Sequence, residues 1–150
     1  MKTVLITGAS RGIGAACARA FGKAGWQVAV HYHRGEREAS ALCQELREAG
    51  AEAEPFCADI ASPGEVASLV RQVEARFARV DALVNNAGIA QQKLFTDLTD
   101  EDWNRMLNVN LGGVFYTCRA VLPGMIRRKS GAIVNISSMW GVGGASCEVH

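Results

Sequence analysis

The segment that most restricts how this chain can fold is Thr7-Gly8-Ala9-Ser10-Arg11-Gly12-Ile13-Gly14, which lies between a short apolar run and a helical pattern. Val4-Leu5-Ile6 is continuous, as expected of a strand buried on both faces. From Gly12 the residues Ile13, Cys17, Ala20, Phe21 and Ala24 recur at helical spacing and mark the expected buried stripe, which ends near Gly25. A glycine-rich bend of this kind opens onto a helix N-terminus, whose unpaired N–H groups and partial charge of about +0.5 favour a phosphate. The missing Cβ atoms let backbone approach a ligand and helix approach sheet. The amides from Gly8 to Gly14 are therefore expected to grip a diphosphate. The competing explanation is a glycine bend kept only for tight packing.

The strand–helix cycle then repeats. Val28-Ala29-Val30 predicts a second strand, and Ala39, Leu42, Leu46 and Ala49 mark a helix that Gly50 closes. Glu54 to Ala58 predicts a third strand, less apolar than the others and so nearer an edge. Ser62 and Pro63 suit a helix cap and first turn, followed by the stripe Val66, Leu69, Val70, Val73 and Phe77. Ala82-Leu83-Val84 predicts a fourth strand. A long helix is expected from Asp100, capped by Thr99, with Trp103, Met106, Val114, Cys118, Val121 and Met125 facing inward. Ala132 to Ile136 predicts the fifth strand. Five strands alternating with four helical segments imply an α/β Rossmann fold, a doubly wound parallel sheet of order 3-2-1-4-5 with later strands missing. Residues 1–150 read as one such dinucleotide-binding domain, incomplete at its C-terminal side.

Composition narrows the partners. With 16 basic and 15 acidic residues the net charge is +1, so nothing favours a broad surface for nucleic acid or anionic lipid. Any anion site must be local. No apolar run approaches the ~18 residues of a membrane span, and the N-terminal apolar stretch is too short for a signal peptide. The five scattered cysteines, an odd number, read as reduced and mostly buried thiols of a cytoplasmic protein. Cys147-x-x-His150 has metal-like spacing, but without a second Cys/His pair no metal is expected.

The spacing of the bend, Thr-Gly, three residues, then Gly-x-Gly, resembles the short-chain dehydrogenase/reductase family. Asn85-Asn86-Ala87-Gly88 matches that family's NNAG, Asp59-Ile60 its acidic-aliphatic pair after strand three, and Asn135-Ile136-Ser137-Ser138 its serine-bearing strand end. Asn110 falls where its active-site asparagine lies. Within the family, the bend and the run from Val84 to Val114 most resemble 3-oxoacyl-acyl-carrier-protein reductases. The resemblance implies a nicotinamide dinucleotide bound by Gly8, Ser10, Arg11, Gly12, Ile13 and Gly14, with Asp59 and Ile60 at the adenine. Asn86, Ala87 and Gly88 would line the adenosine side and brace the strands. Asp59 is equally suited to capping the next helix or holding its own turn.

Strand two ends in His31-Tyr32-His33-Arg34, with no carboxylate to bond ribose hydroxyls or repel a 2′-phosphate. A guanidinium pairs with phosphate bidentately, so Arg34, with Arg11 as a second partner, favours NADP over NAD. Arg34 as a solvated loop charge is the plain alternative. Carbonyl reduction needs a hydride donor, a proton donor and hydrogen bonds at the oxygen. Ser138 is expected to supply such a bond, with Ser137 its rival by motif. Asn110 would hold a water in a proton relay, or else make a structural bond to backbone. Trp140 would line a substrate cleft or simply pack.

The family's acid, Tyr-x-x-x-Lys, is not in this sequence; its register places the tyrosine at or just beyond His150. The chain thus reads as an N-terminal portion, expected to be inactive alone. The resemblance implies a small-molecule or carrier-bound carbonyl substrate, with sugars, steroids and modified protein side chains as alternatives, and a homo-oligomeric parent. The rival classes are a nucleotide-binding half-domain without turnover and a purely structural unit.

Overall fold

The computed structural model describes residues 1–139 and Gly143. Trp140, Cys147 and His150, and the readings attached to them, lie outside the described residues. Five parallel strands, β1 (Thr3–Ile6), β2 (Gln27–Tyr32), β3 (Ala53–Cys57), β4 (Ala82–Asn85) and β5 (Ala132–Asn135), form one sheet of order β3-β2-β1-β4-β5. This is the expected Rossmann arrangement. The central strand, β1, is wholly buried, pairing Leu5 with Ala29 on one side and with Leu83 on the other. β3 runs one residue earlier than expected, although the Ala58 N–H still bonds the Tyr32 carbonyl at 3.1 Å. At an edge, Pro55 removes no interior ladder bond.

Strand residues alternate between two cores. Val4, Ile6, Val28 and Val30 pack against α1 (Gly12–Lys23) and α2 (Glu36–Glu48) through Ala15, Ala18, Leu42 and Leu46. Leu5, Ala29 and Leu83 face α3 (Pro63–Phe77) and α5 (Gly113–Arg128) through Leu69, Val73, Phe77 and Val121. The stripe of α3 is as expected, and the Ser62 hydroxyl accepts from the Glu65 N–H at its start.

Four readings of the sequence need correction. The buried face of α1 is Gly14, Ala15 and Ala18, whereas Ile13 is 61% exposed and Ala20 and Ala24 face solvent. The sheet selects the small residues because they let the helix lie close, and Ile13 is left on the open side. In α2 the stripe takes Cys43, and Ala49 lies past the helix end, exposed. The long fourth helix is two: α4 (Asp100–Leu107) and α5, joined by a widened π turn at Asn108–Gly112 that rotates the face of α4. Trp103 is consequently 44% exposed while Met106 is buried. Of the four described cysteines only Cys43 is buried, and Cys57 is exposed.

Among the described residues, the helical stretch around α5 presents exposed apolar side chains: Leu111 is 66%, Phe115 55% and Ile126 68% exposed, and β5 is an edge of the described sheet with Val134 48% exposed. Exposed apolar patches and unpaired strand edges drive association. The 150-residue chain in isolation is expected to self-associate. Light scattering should give a mass above 16.0 kDa, and a Phe115→Glu, Ile126→Glu double variant should lower it.

Candidate cofactor cleft

The carboxyl ends of β1, β2 and β4 open into a cleft of about 1210 Å³. Its floor is built from short hydrogen bonds at the end of β1. The buried Thr7 hydroxyl accepts from the N–H groups of Asn86 and Ala87, both at 3.0 Å, and reaches the Val84 carbonyl at 3.4 Å. The Asn86 amide donates back to the carbonyls of Thr7 and Gly8, again at 3.0 Å. The strand ends of β1 and β4 are thus fixed side by side. Asn86 is a brace as well as a lining residue.

Two glycines of the bend leave no room for a side chain. Gly8 adopts φ +63°, and a Cβ there would sit 2.8 Å from the Ala87 Cα. A Cβ on Gly14 would stand 2.5 Å from both the Gly8 carbonyl oxygen and the Asn86 amide nitrogen. Gly12 differs: a Cβ there would meet nothing within 4 Å, so its bare backbone faces open space in the cleft wall. Helix α1 begins there with no side-chain cap and no acidic residue in its first turn. In contrast, α3 and α4 are capped by Ser62 and Thr99, and α2 carries Glu36 and Glu38 in its first turn. A helix start with unpaired N–H groups, uncapped and beside open space, suits an anionic ligand. These residues fit a dinucleotide diphosphate.

The other expected residues gather around the same opening. Ser10, Arg11, Gly12 and Ile13 line it on the bend side, and His33 and Arg34 do so past β2. Asp59, Ile60, Ala87 and Gly88 complete the wall. Asp59 also holds its own turn, its Oδ1 accepting from the Ala61 N–H at 2.9 Å, one of the alternatives the sequence left open. Ile60 turns its side chain down against Gly113, where a Cβ would meet it at 2.7 Å, so its backbone is what borders the cleft. Gly14 lies behind the lining, in contact with Asn86 and the bend.

Asn110 sits in the π turn, exposed rather than sunk among apolar neighbours. Its Oδ1 accepts from the Ile89 N–H at 2.8 Å and its Nδ2 donates to the Ile89 carbonyl at 2.9 Å. That is the structural backbone bond the sequence allowed, and it pins the segment after Gly88. Ser138 is exposed a few residues beyond β5 and is not among the residues lining the cleft. Most of the residues expected at a dinucleotide thus border one opening.

The residue that sequence reasoning missed is His31. It is 1% exposed at the end of β2, and its ring bonds the Gly8 N–H through Nδ1 and the Ala58 carbonyl through Nε2, each at 3.0 Å. The Ala9 N–H bonds its carbonyl at 2.8 Å. The Gly8 and Ala9 amides accordingly point to His31, and the phosphate-facing stretch is shorter than expected from the sequence. A polar side chain among Val28, Ala29 and Val30 was the available signal, since buried polar groups must be bonded.

The chain covers 95% to 99% of its length in alignments with curated proteins of one family. The short chain dehydrogenase profile matches residues 2–149. The chain belongs to the short-chain dehydrogenase family. The 3-oxoacyl-[acyl-carrier-protein] reductase FabG of Staphylococcus epidermidis is 38% identical over 143 residues, 95% of this chain and 59% of the relative. The Synechocystis 3-oxoacyl-[acyl-carrier-protein] reductase is 41% identical over 143 residues, 95% of this chain and 58% of the relative. A single-residue variant of actinorhodin polyketide ketoreductase, crystallised with NADPH, superposes with a TM-score of 0.91 at 42% identity, covering 96% of this chain and 56% of that one. The chain thus spans under two thirds of the length of these relatives.

The floor of the cleft sets two expectations. Gly14→Ala should destabilise the fold by about 1–3 kcal/mol, the usual cost of forcing atoms into a packed contact, as read by urea denaturation. Burial pushes the His31 imidazole from 6.5 down to about 4; the bond to the Ala58 carbonyl and the Asp59 charge oppose that shift, and His33 adds to it. Between those values the unfolded chain binds a proton that the folded chain does not. Stability should therefore fall by about 3 kcal/mol as pH drops from 6.5 to 4 and be unaffected by this group above 6.5. Denaturation curves of His31→Asn across that range should be flatter than those of the wild type.

Proposed function

We propose that this chain forms the cofactor-binding part of an NADPH-dependent ketoreductase that reduces a carrier-bound 3-oxoacyl thioester or a similar ketone. The observation that carries the reading is the uncapped, acid-free start of α1, opening beside Gly12 into a cleft at the strand carboxyl ends. The names of the FabG relatives and of the NADPH-bound ketoreductase supply the substrate and cofactor class. NADPH, when bound, supplies the hydride.

The chain's own residues divide the remaining work. The amides at the start of α1 hold the diphosphate. Arg34 and Arg11, both exposed at the cleft wall, pair with the 2′-phosphate, and no carboxylate ends β2 to oppose it. Asp59 and the backbone of Ile60 border the adenine. Ser138 donates a hydrogen bond to the carbonyl oxygen, and Asn110 keeps the Ile89 segment in place while orienting a water. The Tyr-x-x-x-Lys pair that would protonate the oxygen is not among these 150 residues, so they bind the cofactor without turning over substrate. The whole protein acts as a cytoplasmic homo-oligomer.

Titration calorimetry tests this. The chain should bind NADP⁺ at least tenfold more tightly than NAD⁺, and Arg34→Ala should remove about a tenfold share of that preference, the scale of one charge-assisted hydrogen bond. Equal affinity for both nucleotides refutes the NADP assignment. Measurable ketone reduction by the 150-residue chain alone refutes the division between binding and turnover.

A further inference from the structure

His31 has no part in the function proposed above, yet its ring bonds the bend on one side and the loop after β3 on the other. An amide N–H can only donate and a carbonyl can only accept, so its two ring contacts are both hydrogen bonds in one state alone: the neutral ring with its proton on Nε2. In that state Nδ1 takes the Gly8 N–H while the residue's own carbonyl takes the next amide, Ala9. Nε2 donates to Ala58, immediately before Asp59 and Ile60. A single buried residue thereby joins the βα bend to the loop across the cleft.

We propose that His31 is a positioning residue for dinucleotide binding, fixing through its Nδ1 the Gly8 peptide and with it the direction of the bend amides that meet the diphosphate. The inference rests on the reading of the cleft as a dinucleotide site. Gly8 lies at φ +63°, pressed against Ala87, so its peptide has little freedom to find another acceptor. Without one, a buried N–H is left unsatisfied and the peptide rotates toward water. The rotation carries along the backbone that leads to Gly12. The bond to Ala58 acts differently, steadying the adenine-side loop and adding stability without aiming the amides. A side chain that only filled space at this position would need neither bond.

The two roles can be separated, because an asparagine places an oxygen where Nδ1 stands and a glutamine reaches where Nε2 stands. NADP⁺ affinity of the intact protein is measured by calorimetry at neutral pH for wild type, His31→Asn, His31→Gln and His31→Leu. Saturable binding by the wild type is required by the cofactor reading, and its absence overturns that reading and this one together. Given wild-type binding, His31→Asn should stay within about threefold of it, whereas His31→Gln and His31→Leu should weaken by at least tenfold. Melting temperature should fall for His31→Asn and His31→Gln alike, so stability alone cannot produce the affinity pattern. Equal affinities for His31→Asn and His31→Gln overturn the proposal and leave the cofactor reading standing. A second measurement needs no variant: ¹⁵N spectra of the wild-type imidazole should show a bare Nδ1 and a protonated Nε2, and NADP⁺ should slow exchange of the Gly8 amide. The opposite tautomer, or unchanged exchange, also overturns it.

Discussion

The geometry of this cleft depends on the hydroxyl of Thr7. A hydroxyl offers one donor and two acceptor positions, and here the acceptors take Asn86 and Ala87 while the donor faces Val84. Thr7 is 2% exposed, so each of these groups would be costly to leave unpaired. The effect is to lock the last residues of two central strands at one offset. Only at that offset can the bend pack against Ala87 and α1 against Asn86, where the missing Cβ atoms of Gly8 and Gly14 leave barely enough room. The shape of the bend is therefore a consequence of strand-end bonding first and of glycine content second.

The other helix starts show what α1 lacks. At α4, Thr99 and Asp102 cap each other, and Asp102 also takes Lys93 and Gln91 at 2.6 and 2.9 Å. Those bonds, that of Lys93 foremost, hold its carboxyl well below the usual carboxylate range. They staple the segment after Ile89 onto α4. This helix dipole is neutralised by the protein itself. The dipole of α1 is not, and in a chain of net charge +1 it is a local attraction rather than a share of a basic surface.

Strand order, the Ser62 and Thr99 caps and the stripe of α3 were legible in the sequence, because each rests on local periodicity or on a capping side chain. The stripe of α1 was legible only in part: Cys17 and Phe21 pack against the core, but the sheet buries the small residues Gly14, Ala15 and Ala18 most deeply and leaves Ile13 outside. The break at Asn108–Gly112 was hidden because a π turn keeps a helical composition while shifting the phase, and this put Trp103 outside. Among the residues lining the cleft, those of the bend and of NNAG were marked by motif spacing. The role of His31 was not, since it arises from contacts with Gly8 and Ala58 that are distant in sequence and meet only once three strands are aligned.

The β5 side of the sheet is held by other bonds than the cleft floor. The bonds at the cleft floor come from the ends of β1, β2 and β4, joined by Ala58 after β3 and by Asn110 of the π turn. On the far side, Asn85 donates to Asn135 at 2.8 Å and accepts from the buried Thr117 hydroxyl at 2.7 Å. That chain of bonds, together with the Ile136 N–H on the Asn85 carbonyl at 2.8 Å, ties β5 and the residue after it to β4 and α5. Ser138 lies a few residues past the end of β5, an edge strand whose residues are largely exposed. The cleft floor and the β5 edge are therefore held by largely separate sets of interactions: strand ends and loops bonded to one another for the first, an exposed edge strand for the second.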